Sequence, residues 1–224
     1  MLNTPNISPF SEITLTDLAL ILSLTRNIIP ANQNVLEGYW GREVFKGNQL
    51  YDKTLGILGL GRLGKISSNI GKGFGMKVIA CDPNVKKYKD VKILSLEEVL
   101  KKCDVLSIHV HLNEETTNLI NKDRLKLMKN TSILINTSRG KIVDEIALAQ
   151  ALEVGAIAGA GLDVYADEPS IPEGLRALNN VVMLPHIGSA TIEGRHAMGD
   201  KVIINIQTFL DGHTPPDRVL AAML

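Results

Sequence analysis

Residues 55–64 read LGILGLGRLG, an apolar run that leads into three glycines, Gly59, Gly61 and Gly64. The apolar run predicts a buried strand, and the glycines mark the turn from that strand into a helix. In this pattern the first glycine permits a tight turn, the second lets a phosphate approach the backbone, and the third lets helix and strand pack closely. Free amides at the start of the helix favour an anion. The stretch therefore predicts a loop that holds the pyrophosphate of a dinucleotide.

An acidic residue, Asp82, follows the next predicted strand, residues 77–81, about 20 residues beyond the glycine loop. Its carboxylate would accept hydrogen bonds from the adenosine ribose and repel a 2′-phosphate. This favours NAD over NADP as the cofactor, and the nearby Lys86 and Lys87 would soften that preference. The alternative is a purely structural glycine turn with an incidental aspartate. The ordered succession of strand, loop, helix, strand and acid favours the cofactor.

The rest of the chain alternates short apolar runs with helix-like segments. This alternation predicts an α/β fold of the Rossmann type, a doubly wound parallel sheet with helices on both faces. The predicted strands are 55–60, 77–81, 105–110, 133–136, 160–164 and 181–184.

Several helix boundaries are predicted as well. Residues 11–28 predict a buried apolar helix that stops near Pro30, and residues 31–53 predict an extended connecting arm. Ser95 opens a capping box, and Asn121 and Asp144 can cap two further helices. A closing helix is predicted over 191–210, with Gly212 past its end and an apolar face of Val202, Ile203, Ile206 and Phe209. The predicted divisions are 1–10, irregular; 11–53, helix and arm; 54–212, dinucleotide-binding domain; and 213–224, tail.

The composition excludes several classes of function. The chain has 224 residues, of which 45% are hydrophobic and 21% charged, and its formal net charge is zero. Without a basic excess, a nucleic-acid or membrane-surface partner is not expected. No secretory signal or membrane-spanning stretch is apparent, so we expect a cytoplasmic protein. The two cysteines, Cys81 and Cys103, have no metal-binding spacing, which predicts free thiols and no metal site.

Three later motifs each start on a predicted strand and run past its carboxyl end, the edge at which open parallel sheets bind ligands. We expect Arg139, Glu168 and His186 to meet there. His186 can donate a proton, Glu168 can orient its imidazole, and Arg139 offers a fork of donors to a carboxylate. Next to a nicotinamide, this set suits hydride transfer to a 2-oxo acid. The motifs are INTSRGKIVDE at 135–145, AGAGLDVYADEP at 158–169 and LPHIGSAT at 184–191.

Together with YDKTLGILGLGRLG at 51–64, these motifs resemble the NAD-binding domain of the D-isomer-specific 2-hydroxyacid dehydrogenases, over nearly the whole chain. The resemblance implies reduction by NADH of a small 2-oxo acid, similar to glyoxylate or hydroxypyruvate, to a D-2-hydroxy acid. It implies that Arg139 binds the substrate carboxylate, that Glu168 partners the histidine and that His186 is the proton donor. The residues it implies at the cofactor are Gly59, Gly61, Arg62, Leu63, Gly64, Asp82, His109, Thr137, Ser138, Arg139, Asp163, His186, Gly188 and Ser189.

Within that set, the resemblance gives each group a place. The backbone amides of Arg62 and Leu63 would hold the pyrophosphate, and His109 would lie near the adenosine. Thr137, Asp163 and residues 186–189 would line the nicotinamide side.

The sequence departs from the family in two respects. His111 stands where the family usually has a proline, on the adenosine side. Family members also carry a further segment before Asn3-Thr4-Pro5 that forms most of a second, substrate-covering domain, which we expect to be largely absent here. The helix and arm of residues 11–53 resemble the family's dimer-forming elements, so a homodimer is expected.

Two alternative functions remain open at this point. One is a co-repressor-like module that senses NAD(H) without turnover. The absence of a covering domain favours it, and the intact catalytic set argues against it. The other is a formate dehydrogenase, whose branch has glutamine at the position of Glu168, so that the glutamate argues against this reading.

Overall fold

The computed structural model of the chain describes residues 11–218, so the predictions for residues 1–10 and for the end of the tail fall outside it. Within this part, seven strands form one sheet and eight α-helices accompany it. The strands are β1 Thr54–Leu58, β2 Lys77–Cys81, β3 Lys92–Ile93, β4 Val105–Ile108, β5 Ile133–Asn136, β6 Gly159–Leu162 and β7 Val181–Met183. The helices are α1 Ser11–Thr25, α2 Ile28–Leu36, α3 Arg62–Gly73, α4 Leu96–Lys102, α5 Lys122–Leu125, α6 Glu145–Glu153, α7 Glu173–Arg176 and α8 Ile192–Leu210.

Neighbouring strands are all parallel, in the order β3-β2-β1-β4-β5-β6-β7. The chain reverses its direction of progress between β1 and β4, which opens a crevice beyond the carboxyl ends of these strands. The predicted doubly wound α/β sheet is confirmed, and all six predicted strands are present. The sequence pattern misses β3, because two residues are too short to show a periodicity.

Apolar side chains cover the sheet on both faces. On one face α4 and α6 contribute the fully buried Leu100 and Leu148. On the other face α1 contributes Leu20, and α3 packs through small residues. A Cβ on Gly71 of α3 would lie 2.6 Å from a methyl carbon of Leu55 in β1. Helix α3 is therefore packed close to the sheet, and its N-terminus lies at the edge of the crevice.

The N-terminal helix ends earlier than predicted. α1 ends at Thr25, Asn27 has a left-handed backbone with φ 53°, and a second helix begins at Ile28. Pro30 lies in the first turn of that helix, where amides have no partner inside the helix and proline is tolerated. The prediction that Pro30 stops a helix is wrong, and residues 31–36 of the predicted arm are helical.

The predicted helix starts are confirmed. Ser95 and Glu98 form a reciprocal capping box at α4. Asn121 and Asp144 each accept a hydrogen bond from an amide in the first turn of α5 and α6. α8 begins after its cap, Thr191, at the predicted position.

The apolar face of α8 lies at the surface. Four residues of α8 are each more than half exposed: Val202, Ile203, Ile206 and Phe209.

Among the described residues, no single helix has the length and apolar character needed to cross a membrane. One pair of helices bent by 65°, Glu12–Thr25 with Ile28–Leu36, meets that test together by length and composition.

Candidate active site

The glycine loop joins β1 to α3 at the crevice. Gly59 has a positive φ of 89°, and a Cβ there would lie 2.7 Å from the carbonyl oxygen of His109. A Cβ on Gly64 would lie 2.1 Å from the carbonyl oxygen of Gly59, so the helix packs directly on the turn. A Cβ on Gly61 would meet nothing within 4 Å. The first and third glycines are thus required by packing, and Gly61 faces open space.

The N-terminus of α3 fits the pyrophosphate of a dinucleotide. Gly61 is its N-cap and has no side chain to cap the helix, and the first turn begins with the exposed Arg62 and the half-buried Leu63. Amides at a helix start, together with the helix dipole, favour an anion. The open space over Gly61 leaves room for phosphate oxygens against the backbone. These residues would hold the cofactor, as the sequence predicts.

Asp82 directly follows β2 and reaches back to the glycine loop. One carboxylate oxygen accepts a hydrogen bond from the amide of Leu60 at 2.7 Å. The other accepts from the amides of Asn84 at 2.8 Å and Val85 at 3.1 Å. Asp82 therefore fixes the shape of its own loop and of the glycine turn, a contact that the spacing rule does not anticipate.

His186 and Glu168 form a hydrogen-bonded pair. The Nδ1 of His186 lies 2.7 Å from Oε2 of Glu168, and the side chains are 47% and 36% exposed. His186 has a left-handed backbone with φ 57°, which is uncommon for residues other than glycine. The pair is therefore both associated and accessible, as proton transfer requires.

The environment of Glu168 keeps its carboxyl ionised. Partial burial raises its pKa, but the hydrogen bonds from His186 and from the amide of Tyr165, with the charges of His186 and Arg139, outweigh that effect. The net result is a pKa below the ordinary value of 4.5. An ionised carboxylate at this distance stabilises a protonated imidazole.

Arg139 follows β5 and is exposed at the same edge. One of its guanidinium nitrogens donates to the carbonyl oxygen of Ser138 at 2.6 Å, and its charge reaches Glu168. Next to it, Gly140 touches the loop that carries Glu168, because a Cβ there would lie 1.8 Å from the carbonyl carbon of Tyr165. The structure thus brings together Arg139, Glu168 and His186.

Asp163 fixes the backbone that directly follows His186. It is 1% exposed, and its two oxygens accept hydrogen bonds from the amides of Ile187 at 2.8 Å and Gly188 at 2.7 Å. Its carboxylate is therefore turned to the loop and not to the crevice. Gly188 is buried against it, and Ser189 is half-buried in the same turn.

The surroundings of His109 differ from the expectation. Its ring is buried, with Nε2 3.1 Å from Asp17 of α1 and 2.9 Å from Ser107. Only its backbone borders the glycine turn, so the expected side-chain contact with adenosine is not available in this conformation. Thr137 is also turned inward, and its hydroxyl donates to Asp17 at 2.6 Å. Ser138 donates to the carbonyl oxygen of Val110.

Sequence reasoning missed two carboxylates near the site. Asp17 is 2% exposed, and the available signal was an acidic residue in the middle of a largely apolar helix, beyond the first-turn Glu12. Glu145 accepts a hydrogen bond from the amide of Ala166 at 2.7 Å. Burial raises the pKa of Glu145, and the charges of Asp167 and Glu168 add to that, against the opposing hydrogen bond. No pattern in the sequence connects it with that loop.

Among residues 11–218, no group of three or more histidine, cysteine or acidic side chains is arranged to hold a metal ion. Both cysteines are free thiols. Burial raises the pKa of Cys103 to about 12 and also raises that of Cys81.

Comparison with known proteins agrees with this geometry. Residues 18–188 match the family model described as "D-isomer specific 2-hydroxyacid dehydrogenase, NAD binding domain". The chain is 41% identical to a glyoxylate reductase of Thermococcus onnurineus, over 97% of this chain and 68% of the relative. It is 43% identical to a glyoxylate reductase of Pyrococcus furiosus, over 90% of this chain and 63% of the relative. The chain thus spans about two thirds of the length of these relatives.

Solved structures are similar as well. The TT0316 protein of Thermus thermophilus superposes with a TM-score of 0.89 at 39% identity, over 96% of this chain and 70% of that one. An NADPH-dependent glyoxylate/hydroxypyruvate reductase of Sinorhizobium meliloti gives a TM-score of 0.85 at 34% identity, over 92% and 66%. With its glycine loop, its His186–Glu168 pair and Arg139 on one sheet edge, this chain belongs to the D-isomer-specific 2-hydroxyacid dehydrogenase family and carries its NAD-binding domain.

Proposed function

We propose that the protein uses NADH to reduce a small 2-oxo acid, of the glyoxylate or hydroxypyruvate kind, to a D-2-hydroxy acid. The observation that carries this proposal is the 2.7 Å pair of His186 and Glu168 next to Arg139, at the sheet edge that bears the glycine loop. The relatives named as glyoxylate reductases support the substrate class.

Each side chain has a separate task in this reaction. When bound, the reduced nicotinamide supplies the hydride. Arg139 holds the substrate carboxylate through its donor fork and orients the carbonyl. His186 gives a proton to the carbonyl oxygen as negative charge develops there. Glu168 holds the imidazole by Nδ1, which leaves Nε2 to face the substrate, and its charge stabilises the protonated ring.

We propose NAD rather than NADP as the preferred cofactor. The carboxylate of Asp82, close to the glycine loop, would repel a 2′-phosphate. Because a similar reductase of Sinorhizobium meliloti is NADPH-dependent, the preference is measured directly. Titration of NADH and NADPH in parallel is expected to give tighter binding of NADH, and equal affinities would contradict the proposal.

We further propose a homodimer in the cytoplasm. α2 and the connection after it expose large apolar side chains, including Trp40 at 81% and Leu36 at 73%. A surface of this kind marks a protein interface. The two free thiols are consistent with a reducing compartment.

The deciding experiment mixes the purified chain with NADH and either glyoxylate, hydroxypyruvate or pyruvate, and follows loss of the absorbance of NADH. We expect turnover that is lost in His186→Ala, with NADH binding retained. If the wild type binds NADH without turnover, the proposed enzymatic activity is contradicted and a sensing module is favoured. Turnover with formate and NAD, and none with the 2-oxo acids, would contradict the substrate class.

A further inference from the structure

A buried carboxylate joins α1 to the ends of two strands. Asp17 is 2% exposed, and its Oδ1 accepts a hydrogen bond from the hydroxyl of Thr137 at 2.6 Å. Its Oδ2 lies 3.1 Å from both the hydroxyl of Ser107 and Nε2 of His109, and 3.4 Å from the hydroxyl of Ser67. Three hydroxyl donors, from α3, β4 and the end of β5, thus converge with the ring of His109 on one side chain of α1.

This arrangement is more than a means of docking α1. An apolar helix docks on a sheet by burying apolar side chains, as Leu20 of α1 does at 1% exposure. A buried carboxylate is costly unless directional donors surround it, and it then fixes the positions of those donors. The shortest of its contacts, to Thr137 at 2.6 Å, lies at the edge that carries Arg139.

Thr137 begins the turn that presents Arg139. In this turn the side-chain amide of Asn136 donates to the carbonyl oxygen of Arg139 at 3.0 Å. The hydroxyl of Ser138 donates to the carbonyl oxygen of Val110 at 2.6 Å. The turn is therefore tied within itself and to the segment that follows β4, and Asp17 holds it through Thr137. If that contact is lost, the guanidinium is free to shift relative to His186.

We propose that Asp17 is a positioning residue for Arg139, acting through Thr137, and that it sets the affinity for the substrate carboxylate. This rests on the role given to Arg139 in the proposed function. Asp17 itself is buried and acts only through the residues that it contacts.

The first test is Asp17→Asn, which keeps the shape of the side chain and replaces one acceptor by a donor. We expect the KM for glyoxylate to rise roughly tenfold, the scale of one misplaced hydrogen bond, with kcat changed much less. The Kd for NADH, measured by fluorescence, is expected to stay within about twofold, because Ser67, the contact of Asp17 on α3, lies in the second turn of that helix, beyond its first-turn amides. A fall in kcat with an unchanged KM would overturn the proposal.

The matched control is Leu20→Ala, which removes an equally buried side chain one turn away on the same helix. It is expected to lower the melting temperature and to leave the KM for glyoxylate unchanged. An equal rise in KM in Leu20→Ala would show that the docking of α1 alone matters and would overturn the special role of Asp17.

A second variant and a second measurement keep the test independent of turnover. Thr137→Val removes the hydroxyl and is expected to raise the KM for glyoxylate as Asp17→Asn does. Hydrogen exchange followed by mass spectrometry is expected to show faster exchange over residues 137–139 in both variants and not in Leu20→Ala. If the wild type has no turnover but exchange changes as expected, the proposed function fails and the positioning survives; unchanged exchange over 137–139 overturns the positioning itself.

Discussion

Glu168 combines two properties that a partner of an acid–base histidine needs, namely a fixed position and a persistent charge. Its Oε1 accepts a hydrogen bond from the amide of Tyr165 at 3.0 Å, while Oε2 faces His186. Its pKa is lower in the folded chain than the ordinary 4.5. Such a carboxyl stabilises the fold above its unfolded pKa, and that contribution is lost as the pH falls through the folded pKa. Near neutral pH the carboxylate of Glu168 is therefore ionised and faces His186.

The variant Glu168→Gln tests this charge. The amide keeps the size of the side chain and removes the negative charge beside His186. We expect kcat/KM for glyoxylate reduction with NADH to fall by about tenfold or more, because a charge-assisted hydrogen bond to the proton donor is lost. NADH titration is the control and should give an unchanged Kd. An unchanged kcat/KM would mean that the charge of Glu168 is not needed for proton transfer.

Two of the three glycines of the loop, Gly61 and Gly64, are expected to respond differently to alanine. Gly61→Ala finds open space, so the melting temperature should change little, while the added methyl group meets the phosphates and weakens NADH binding by about tenfold or more. Gly64→Ala drives a methyl group against the backbone of Gly59 and should destabilise the fold by about 2 kcal/mol or more. Thermal unfolding and NADH titration of both variants test these two expectations. Equal loss of stability in the two would contradict this assignment.

At the scale of elements, α4 depends on its N-terminal capping box. Ser95 accepts from the amide of Glu98, whose carboxylate in turn faces the amide of Ser95, each at 3.3 Å. Ser95→Ala is expected to cost about 1 kcal/mol and to lower the melting temperature by about 2–4 °C. Glu97→Gln, in the same turn but outside the box, is the control. A similar loss in both variants would assign the effect to first-turn charge.

Elements with a strong local signal could be predicted from the sequence. Ser95, Asn121 and Asp144 mark helix starts because a cap is a local hydrogen bond. The end of α1 could not be predicted in the same way. Pro30 is compatible with either a helix end or a first turn, and the left-handed residue Asn27 decides between them.

The site shows the same division. His186, Glu168 and Arg139 were predicted to meet because each follows a parallel strand, and carboxyl ends of parallel strands share an edge. The inward turn of His109 and Thr137 could not be predicted, since it depends on Asp17, 120 residues away from Thr137 in sequence. Long-range contacts of single polar side chains leave no periodic pattern.

At the scale of the whole molecule, the exposed apolar surface after α1 predicts self-association. We expect the 24.4 kDa chain to sediment as a dimer, and Trp40→Glu to shift it to the monomer, because a charge would be buried at the interface. Analytical ultracentrifugation measures both. Val154→Glu, which alters an apolar side chain of similar exposure at the end of α6, is the control. A monomeric wild type, or a shift in both variants, would contradict an interface at this surface.

The reversal of strand order between β1 and β4 has a consequence for how such a protein changes over time. The groups that would recognise the cofactor's phosphates and ribose lie after β1 and β2, whereas Arg139, Glu168 and His186 follow β5, β6 and β7. The two groups of residues lie on different strands, so the free-energy changes caused by substitutions in one group and in the other should add. Cofactor preference and substrate preference can therefore diverge separately among descendants of one ancestral gene. A lineage can exchange NAD for NADP while it keeps its acid, or change its acid while it keeps its cofactor.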